Sequence, residues 1–201
     1  MEQHPGPVRL TDRALEIHSR SLVIDGHNDL PDRLRDDFAG DLATIALPER
    51  PAGERQKLQT DIARLRAGGL GAQFWSAYVP PELDRKGGAA RYCLEQMDLI
   101  KRMVAHHPEI FEMAYTADDV QRIHRSGRIA SLIGIEGGHA IENSLAVLRS
   151  FHMLGARYMT LTHADTIEWC DSATDAPRHG GLTVFGEQVV REMNRLGMLV
   201  D

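Results

Sequence analysis

Two residues near the start of the sequence, His27 and Asp29, have the types and the spacing of a metal-chelating pair. They follow an apolar run at residues 21–26 and lie two positions apart, so at the end of a strand both side chains point to the same side. Imidazole nitrogen and carboxylate oxygen are ligands for Zn²⁺, Fe²⁺ or Mn²⁺. The pattern alone is weak, because a polar strand exit that binds nothing explains it about equally well.

A second candidate, Glu136, ends the apolar run at residues 131–135 and is followed by two glycines. A carboxylate at the end of a buried strand needs a cation or several hydrogen-bond donors to offset the cost of its desolvation. The alternative is a solvated loop glutamate whose glycines form a turn. We interpret His139, three residues further on, as a loop or helix-start residue rather than a ligand.

The third candidate is His163, which follows the apolar run at residues 158–162. Three predicted strand ends therefore carry histidine, aspartate or glutamate. Ligand-type residues at equivalent positions of successive strands arise by chance less readily than any single motif. Their convergence favours a metal-centred hydrolytic site over ordinary polar loops.

Short apolar runs alternate with longer amphipathic segments along the chain, which predicts an α/β fold with parallel strands and crossover helices. The predicted strands are residues 21–26, 71–77, 129–135, 158–162 and 198–201, and the predicted helices are residues 11–20, 60–67, 89–106, 117–126, 144–154 and 184–196. A doubly wound sheet and a (β/α)8 barrel both suit this order. No Gly-x-Gly-x-x-Gly turn follows the first strand, which disfavours a dinucleotide-binding domain.

The composition excludes several classes of protein. With 23 Lys and Arg against 29 Asp and Glu, the net charge is −6, so we expect no nucleic-acid binding. No secretory leader and no membrane anchor are visible. Two cysteines suit a reducing compartment at least as well as an oxidising one, and we expect a cytoplasmic protein.

The last residues, 197–201, resemble a helix stop followed by the beginning of a strand. A (β/α)8 barrel takes about 250 residues, whereas this sequence supplies about four strand–helix units. We therefore expect residues 1–201 to form a single domain that covers about the first half of a barrel, truncated at the C-terminus.

Four segments together carry a resemblance to a known family. They are residues 24–31, residues 135–139, residues 160–163, and the stretch from Gly181 to Met198. In combination and order they resemble the membrane (renal-type) dipeptidases, a family of zinc peptidases with a (β/α)8 barrel. The resemblance extends over nearly the whole chain.

The resemblance implies a role for each candidate residue. His27 and Asp29 would hold one zinc ion, Glu136 would bridge two zinc ions as the catalytic carboxylate, and His163 would bind the substrate near the scissile carbonyl. The implied cofactor is two Zn²⁺ ions and the implied substrate is a dipeptide. The family's two further histidine ligands, its substrate-binding arginine and its catalytic aspartate lie on later strands, beyond Asp201.

The sequence departs from the family at Ala164, Cys170 and Val184, where asparagine, alanine and proline are expected, so the fit to substrate differs. Two other hypotheses stay open: a related amidohydrolase acting on another amide, and a non-catalytic fragment or interaction protein whose exposed sheet edge pairs with another chain. A homodimer also stays open. On its own, this chain is expected to be neither a stable monomer nor an active peptidase.

Overall fold

A computed structural model describes residues 10–46 and 58–201 of the chain. Within these residues six strands alternate with helices. The strands are β1 (Val23–Asp25), β2 (Leu70–Tyr78), β3 (Phe111–Met113), β4 (Ile129–Glu136), β5 (Ala156–Thr160) and β6 (Leu199–Val200). The α-helices are α1 (Asp12–Arg20), α2 (Leu30–Phe38), α3 (Ile62–Ala67), α4 (Glu82–Lys86), α5 (Ala89–His106), α6 (Ala117–Arg125), α7 (Leu145–Met153) and α8 (Val184–Leu196). Short 3-10 helices span Leu42–Ala46 and Gly138–Ile141.

All strand pairs in the sheet are parallel. The path through the sheet is β1-β2-β4-β5-β6. The short strand β3 pairs with the first residues of β4, and β5 pairs with its last residues. Because β2 pairs along nearly the whole of β4, β3 and β5 share the side of β4 opposite β2.

The central strands β2 and β4 are buried on both faces, as expected for parallel strands covered on both sides. Every residue of β4 except Glu136 is buried. The main core cluster contains Trp75 of β2, Ile133 of β4 and Met97 of α5. Glu136, at the end of β4, is therefore the exception in an otherwise buried strand.

Local sequence signals explain where the helices begin and end. Thr116 forms a capping box with Asp119 at the start of α6, which satisfies two otherwise unpaired backbone donors. Thr183 caps the start of α8, and Gly197 ends it in the left-handed conformation that glycine adopts at little cost. Both ends of α8 are therefore determined by local residues, and the chain can turn at Gly197 into the strand that follows.

The predicted α/β class and all five predicted strands are confirmed, with ends displaced by up to two residues. Three of the strands and α-helices were missed, as were both 3-10 helices. Strand β3 has only three residues, α4 has only five, and α2 begins at Leu30 with Pro31 in its first turn and carries mainly charged residues. Each is too short or too polar to give a clear periodic signal.

Candidate metal centre

The parallel register brings the carboxyl ends of β2, β4 and β5 to one edge of the sheet. Tyr78 pairs with Glu136 across β2 and β4, and Glu136 pairs with Thr160 across β4 and β5. Strand β1 ends opposite the middle of β2, and the loop after it reaches the same edge, where the carbonyl oxygen of Asn28 accepts a hydrogen bond from the backbone N–H of Ser76 at 2.9 Å. The residues that follow these strands therefore meet above the same edge. Ligands bind at this end of the strands in parallel α/β folds.

His27, Asp29 and Glu136 form a three-residue cluster at this edge. Nε2 of His27 lies 2.9 Å from Oδ1 of Asp29 and 3.4 Å from Oε2 of Glu136. Ligand atoms of the three side chains all lie within 4.8 Å of one another. One imidazole nitrogen and two carboxylates therefore point toward a common centre.

Polar side chains contact the carboxylate of Glu136 from two sides. The hydroxyl of Ser76, on the neighbouring strand β2, donates to Oε2 at 2.8 Å. Nε2 of His163, from the loop after β5, lies 3.4 Å from the other oxygen, Oε1. The side chain of Glu136 is only 14% exposed, so these polar neighbours offset part of the cost of burying its charge.

Asp29 is the N-cap residue of α2, yet its side chain makes no capping hydrogen bond to the helix. Its carboxylate instead faces the imidazole of His27. The backbone N–H of His27 donates to the carboxylate of Asp25 at 3.1 Å, which fixes the turn that follows β1. The short turn therefore presents the histidine and the aspartate together.

The two carboxylates favour the charged imidazolium. Hydrogen bonds that His27 donates to the carboxylates of Asp29 and Glu136 raise its pKa to about 10 in the metal-free protein. The same contact with His27 lowers the pKa of Asp29. The two carboxylates thus stabilise a positive charge between them. When no metal is bound, the proton on His27 provides that charge.

The cluster fits a divalent transition metal by the chemistry of its donors. Imidazole with carboxylate oxygens is a donor set that suits zinc, iron and manganese. In catalytic zinc sites, three protein ligands commonly leave a position open for water or substrate.

A cavity of about 260 Å³ adjoins the cluster and is lined by Asp29, Asp32, Arg33, Tyr78, Glu136 and His163. The ring of His163 stacks edge-on against Tyr78, with ring centroids 5.2 Å apart. Asp32 projects from the first turn of α2, and burial raises its pKa to about 6. The cavity thus combines the cluster with polar side chains that a small polar substrate could contact.

The structure brings together three of the residues predicted from sequence, His27, Asp29 and Glu136, and places His163 beside them on the other oxygen of Glu136. His139 lies elsewhere: it is buried in a 3-10 helix, and its Nε2 lies 3.2 Å from the carbonyl oxygen of Pro80. This position agrees with the interpretation of His139 as a loop or helix-start residue.

Sequence reasoning missed two contacts of the cluster, Ser76 and Tyr158. The hydroxyl oxygen of Tyr158 lies 2.8 Å from Nδ1 of His27, and burial raises the pKa of this tyrosine above its usual value. Both residues lie inside strands rather than after them. Only the strand register could have identified them.

Comparison with known proteins assigns the chain to a family. The family model described as membrane dipeptidase, peptidase family M19, matches residues 11–201. The chain belongs to this family. Membership confirms the resemblance found in the sequence, and a metallopeptidase family implies a metal cofactor.

Curated relatives agree with this assignment. Dipeptidase 3 of Mus musculus is 46% identical over 198 residues, which cover 96% of this chain and 38% of that relative. Dipeptidase ataJ of Aspergillus terreus is 45% identical over 183 residues, which cover 88% of this chain and 43% of that relative. The chain thus spans about two fifths of the length of these two relatives.

Solved structures support the fold. A dipeptidase described as a metallopeptidase of family M19 is 26% identical, has a TM-score of 0.74, and matches over 90% of this chain and 55% of its own. A Rhodobacter sphaeroides metallopeptidase, liganded with a phosphinate mimic of the dipeptide L-Ala-D-Ala, is 24% identical with a TM-score of 0.74, over 90% of this chain and 57% of its own. The predicted fold, about the first half of a (β/α)8 barrel, is confirmed.

Within residues 10–46 and 58–201, no helix has both the length and the apolar character needed to cross a bilayer.

Proposed function

We propose that this chain supplies the N-terminal half of the active site of a zinc-dependent dipeptidase. The single observation that carries the proposal is the convergence of His27, Asp29 and Glu136, from two different strand ends, within 4.8 Å. A cluster of this kind at the carboxyl edge of a parallel sheet suits a metal-dependent hydrolase. The family assignment and the dipeptidase names of the relatives support the same activity.

In this proposal His27 and Asp29 would hold one zinc ion, and Glu136 would be shared between that ion and a second. When bound, the ions supply a water of lowered pKa and polarise the peptide carbonyl. The hydroxyl of Ser76 keeps the carboxylate of Glu136 oriented through its hydrogen bond to Oε2. The remaining ligands, and substrate-binding groups other than His163, would come from the second half of the barrel.

His163 is the residue proposed to bind the substrate. Its side chain is 40% exposed and lines the cavity beside Glu136. A ring nitrogen at this position can donate a hydrogen bond to a substrate carbonyl oxygen, which becomes more negative as the peptide bond is attacked. His163 would therefore stabilise developing charge on the substrate rather than bind the metal.

A dipeptide is the proposed substrate class because the chain belongs to a family of dipeptidases. The cavity of about 260 Å³ in this half is on the scale of a small ligand. The Rhodobacter sphaeroides structure, which shares this fold, holds a mimic of a dipeptide.

The test uses the product of the whole gene, whether or not it extends beyond Asp201. It is assayed with a free dipeptide, with the same dipeptide acetylated at its amino group, and with a tripeptide. We expect zinc-dependent cleavage of the free dipeptide and at least about tenfold slower cleavage of the other two, since a dipeptidase recognises both chain ends. Equal cleavage of the acetylated dipeptide would instead support the amidohydrolase alternative.

A further inference from the structure

We infer that Tyr158 is a positioning residue of the metal centre, which orients the imidazole of His27 so that Nε2 faces the metal. The inference rests on the proposed metal site but not on the identity of the substrate. The two ring nitrogens of His27 have different partners: Nδ1 lies 2.8 Å from the hydroxyl oxygen of Tyr158, and Nε2 lies 2.9 Å from Oδ1 of Asp29. Each ring nitrogen of His27 therefore has a polar partner that restricts the orientation of the ring.

This arrangement selects one tautomer of the histidine. When Nε2 gives its lone pair to a metal, Nδ1 keeps its proton and donates it to the hydroxyl oxygen of Tyr158. A metal-binding histidine usually has such a second partner, which fixes the ring orientation and the tautomer. At this site the partner is a phenol on β5, so the loop after β1 is connected to a strand three places away in the sheet.

The position of Tyr158 is itself fixed by neighbouring strands. Its side chain is 5% exposed, and its ring packs against Phe74 with centroids 5.1 Å apart. Tyr158 is also the register partner of Gly134 on β4. A Cβ atom at residue 134 would overlap the ring of Tyr158, so the glycine makes room for the ring to reach His27.

A phenol affects the imidazole differently from the carboxylate that often takes this place in metal sites. The neutral hydroxyl orients His27 without adding a third negative charge beside Asp29 and Glu136. We therefore expect Tyr158 to govern mainly the geometry and affinity of the metal site, and to contribute little to the net charge of the centre.

The test is the variant Tyr158→Phe in the whole gene product. It removes only the hydroxyl and keeps the ring that packs on Phe74 and Gly134. The matched control is Tyr115→Phe, which makes the same change at a partly exposed ring beside Arg157. Zinc affinity is measured by competition with a chelator, and the absorption spectrum of the cobalt-substituted protein reports ligand geometry.

We expect Tyr158→Phe to bind zinc about 10-fold to 100-fold more weakly than the wild type, as is typical when a second partner of a metal ligand is lost. The cobalt spectrum should also change. Tyr115→Phe should match the wild type in both, and the two variants should unfold at similar temperatures without metal. Zinc affinity within about twofold of wild type in Tyr158→Phe, with an unchanged spectrum, would overturn the inference.

A measurement on the wild type keeps the inference testable if the variant does not fold. In the zinc-loaded protein, nitrogen-15 NMR should show the proton of the His27 ring on Nδ1 and the metal on Nε2. A proton on Nε2 would contradict the orientation. Wild-type protein that binds no zinc would refute the proposed function as well, whereas normal zinc binding with an unaffected Tyr158→Phe refutes only the role of Tyr158.

Discussion

Nε2 of His27 lies 3.4 Å from Oε2 of Glu136, although the histidine follows β1 and the glutamate ends β4. Strand β2 lies between them in the sheet, and its Ser76 donates a hydrogen bond to the same glutamate oxygen. The contact therefore depends on correct pairing of three strands. Metal binding at this point would hold together the carboxyl edge of the sheet.

Zinc binding is expected to release a proton from His27. Because its pKa is raised to about 10 in the metal-free protein, the imidazole is protonated at neutral pH and must lose its proton to coordinate a metal. Apparent zinc affinity should rise by up to about tenfold per pH unit between about pH 6 and pH 9. Calorimetric titration in buffers of different ionisation enthalpy counts the protons, and affinity that does not change with pH would argue against His27 as a ligand.

Replacing Glu136 by glutamine is expected to lower both zinc content and dipeptide hydrolysis, the latter by at least about 100-fold. The substitution keeps the size of the side chain and its hydrogen bond from Ser76, but removes the charge proposed to bridge two ions. The control Glu187→Gln changes an exposed carboxylate on α8 that pairs with Arg191. Near-normal metal content and activity in Glu136→Gln would show that the bridging role is wrong.

His163→Ala is expected to keep its zinc but lose turnover. The imidazole lies on the far oxygen of Glu136 and lines the cavity, so its removal should affect kcat/KM by about 10-fold to 1,000-fold. Elemental analysis and steady-state kinetics on the same preparation separate the two effects. Loss of zinc from His163→Ala would make this residue a metal ligand instead.

Sequence alone predicted the elements with strong periodicity. Helices α5 and α8 were predicted to the residue, because each has an amphipathic pattern over at least three turns and α8 is followed by Gly197. Helix α2 was missed because its charged sequence carries only Leu30, Pro31 and Leu34 toward the core.

The sequence predicted some residues of the candidate site but not others. His27, Asp29 and Glu136 have ligand chemistry and follow apolar runs, so both residue type and position identified them. Tyr158 and Ser76 lie within strands, where a tyrosine or a serine is ordinary. Their role depends on which strands are neighbours and on register, such as the pairing of Gly134 with Tyr158, which no local pattern contains.

Asp32 is expected to destabilise the metal-free fold when it is ionised. Its pKa in the folded protein, about 6, lies above the ordinary value of 3.8 for aspartate, mainly because of burial. The free energy of unfolding should therefore fall as the pH rises from about 4 to about 6. Asp32→Asn should raise the melting temperature by about 2 °C more near pH 7.5 than near pH 4. Thermal unfolding in a chelating buffer tests this, and an equal effect at both pH values would contradict it.

The proposed zinc-dependent activity can be tested by titrating zinc into the metal-free whole gene product while dipeptide hydrolysis is measured in the same samples. We expect no activity in chelator, activity that rises with added zinc, and saturation at about two ions per chain. Glu136→Gln should reach neither the stoichiometry nor the rate. Full hydrolysis by protein shown to contain no metal, or saturating zinc that remains unbound, would contradict the proposed function.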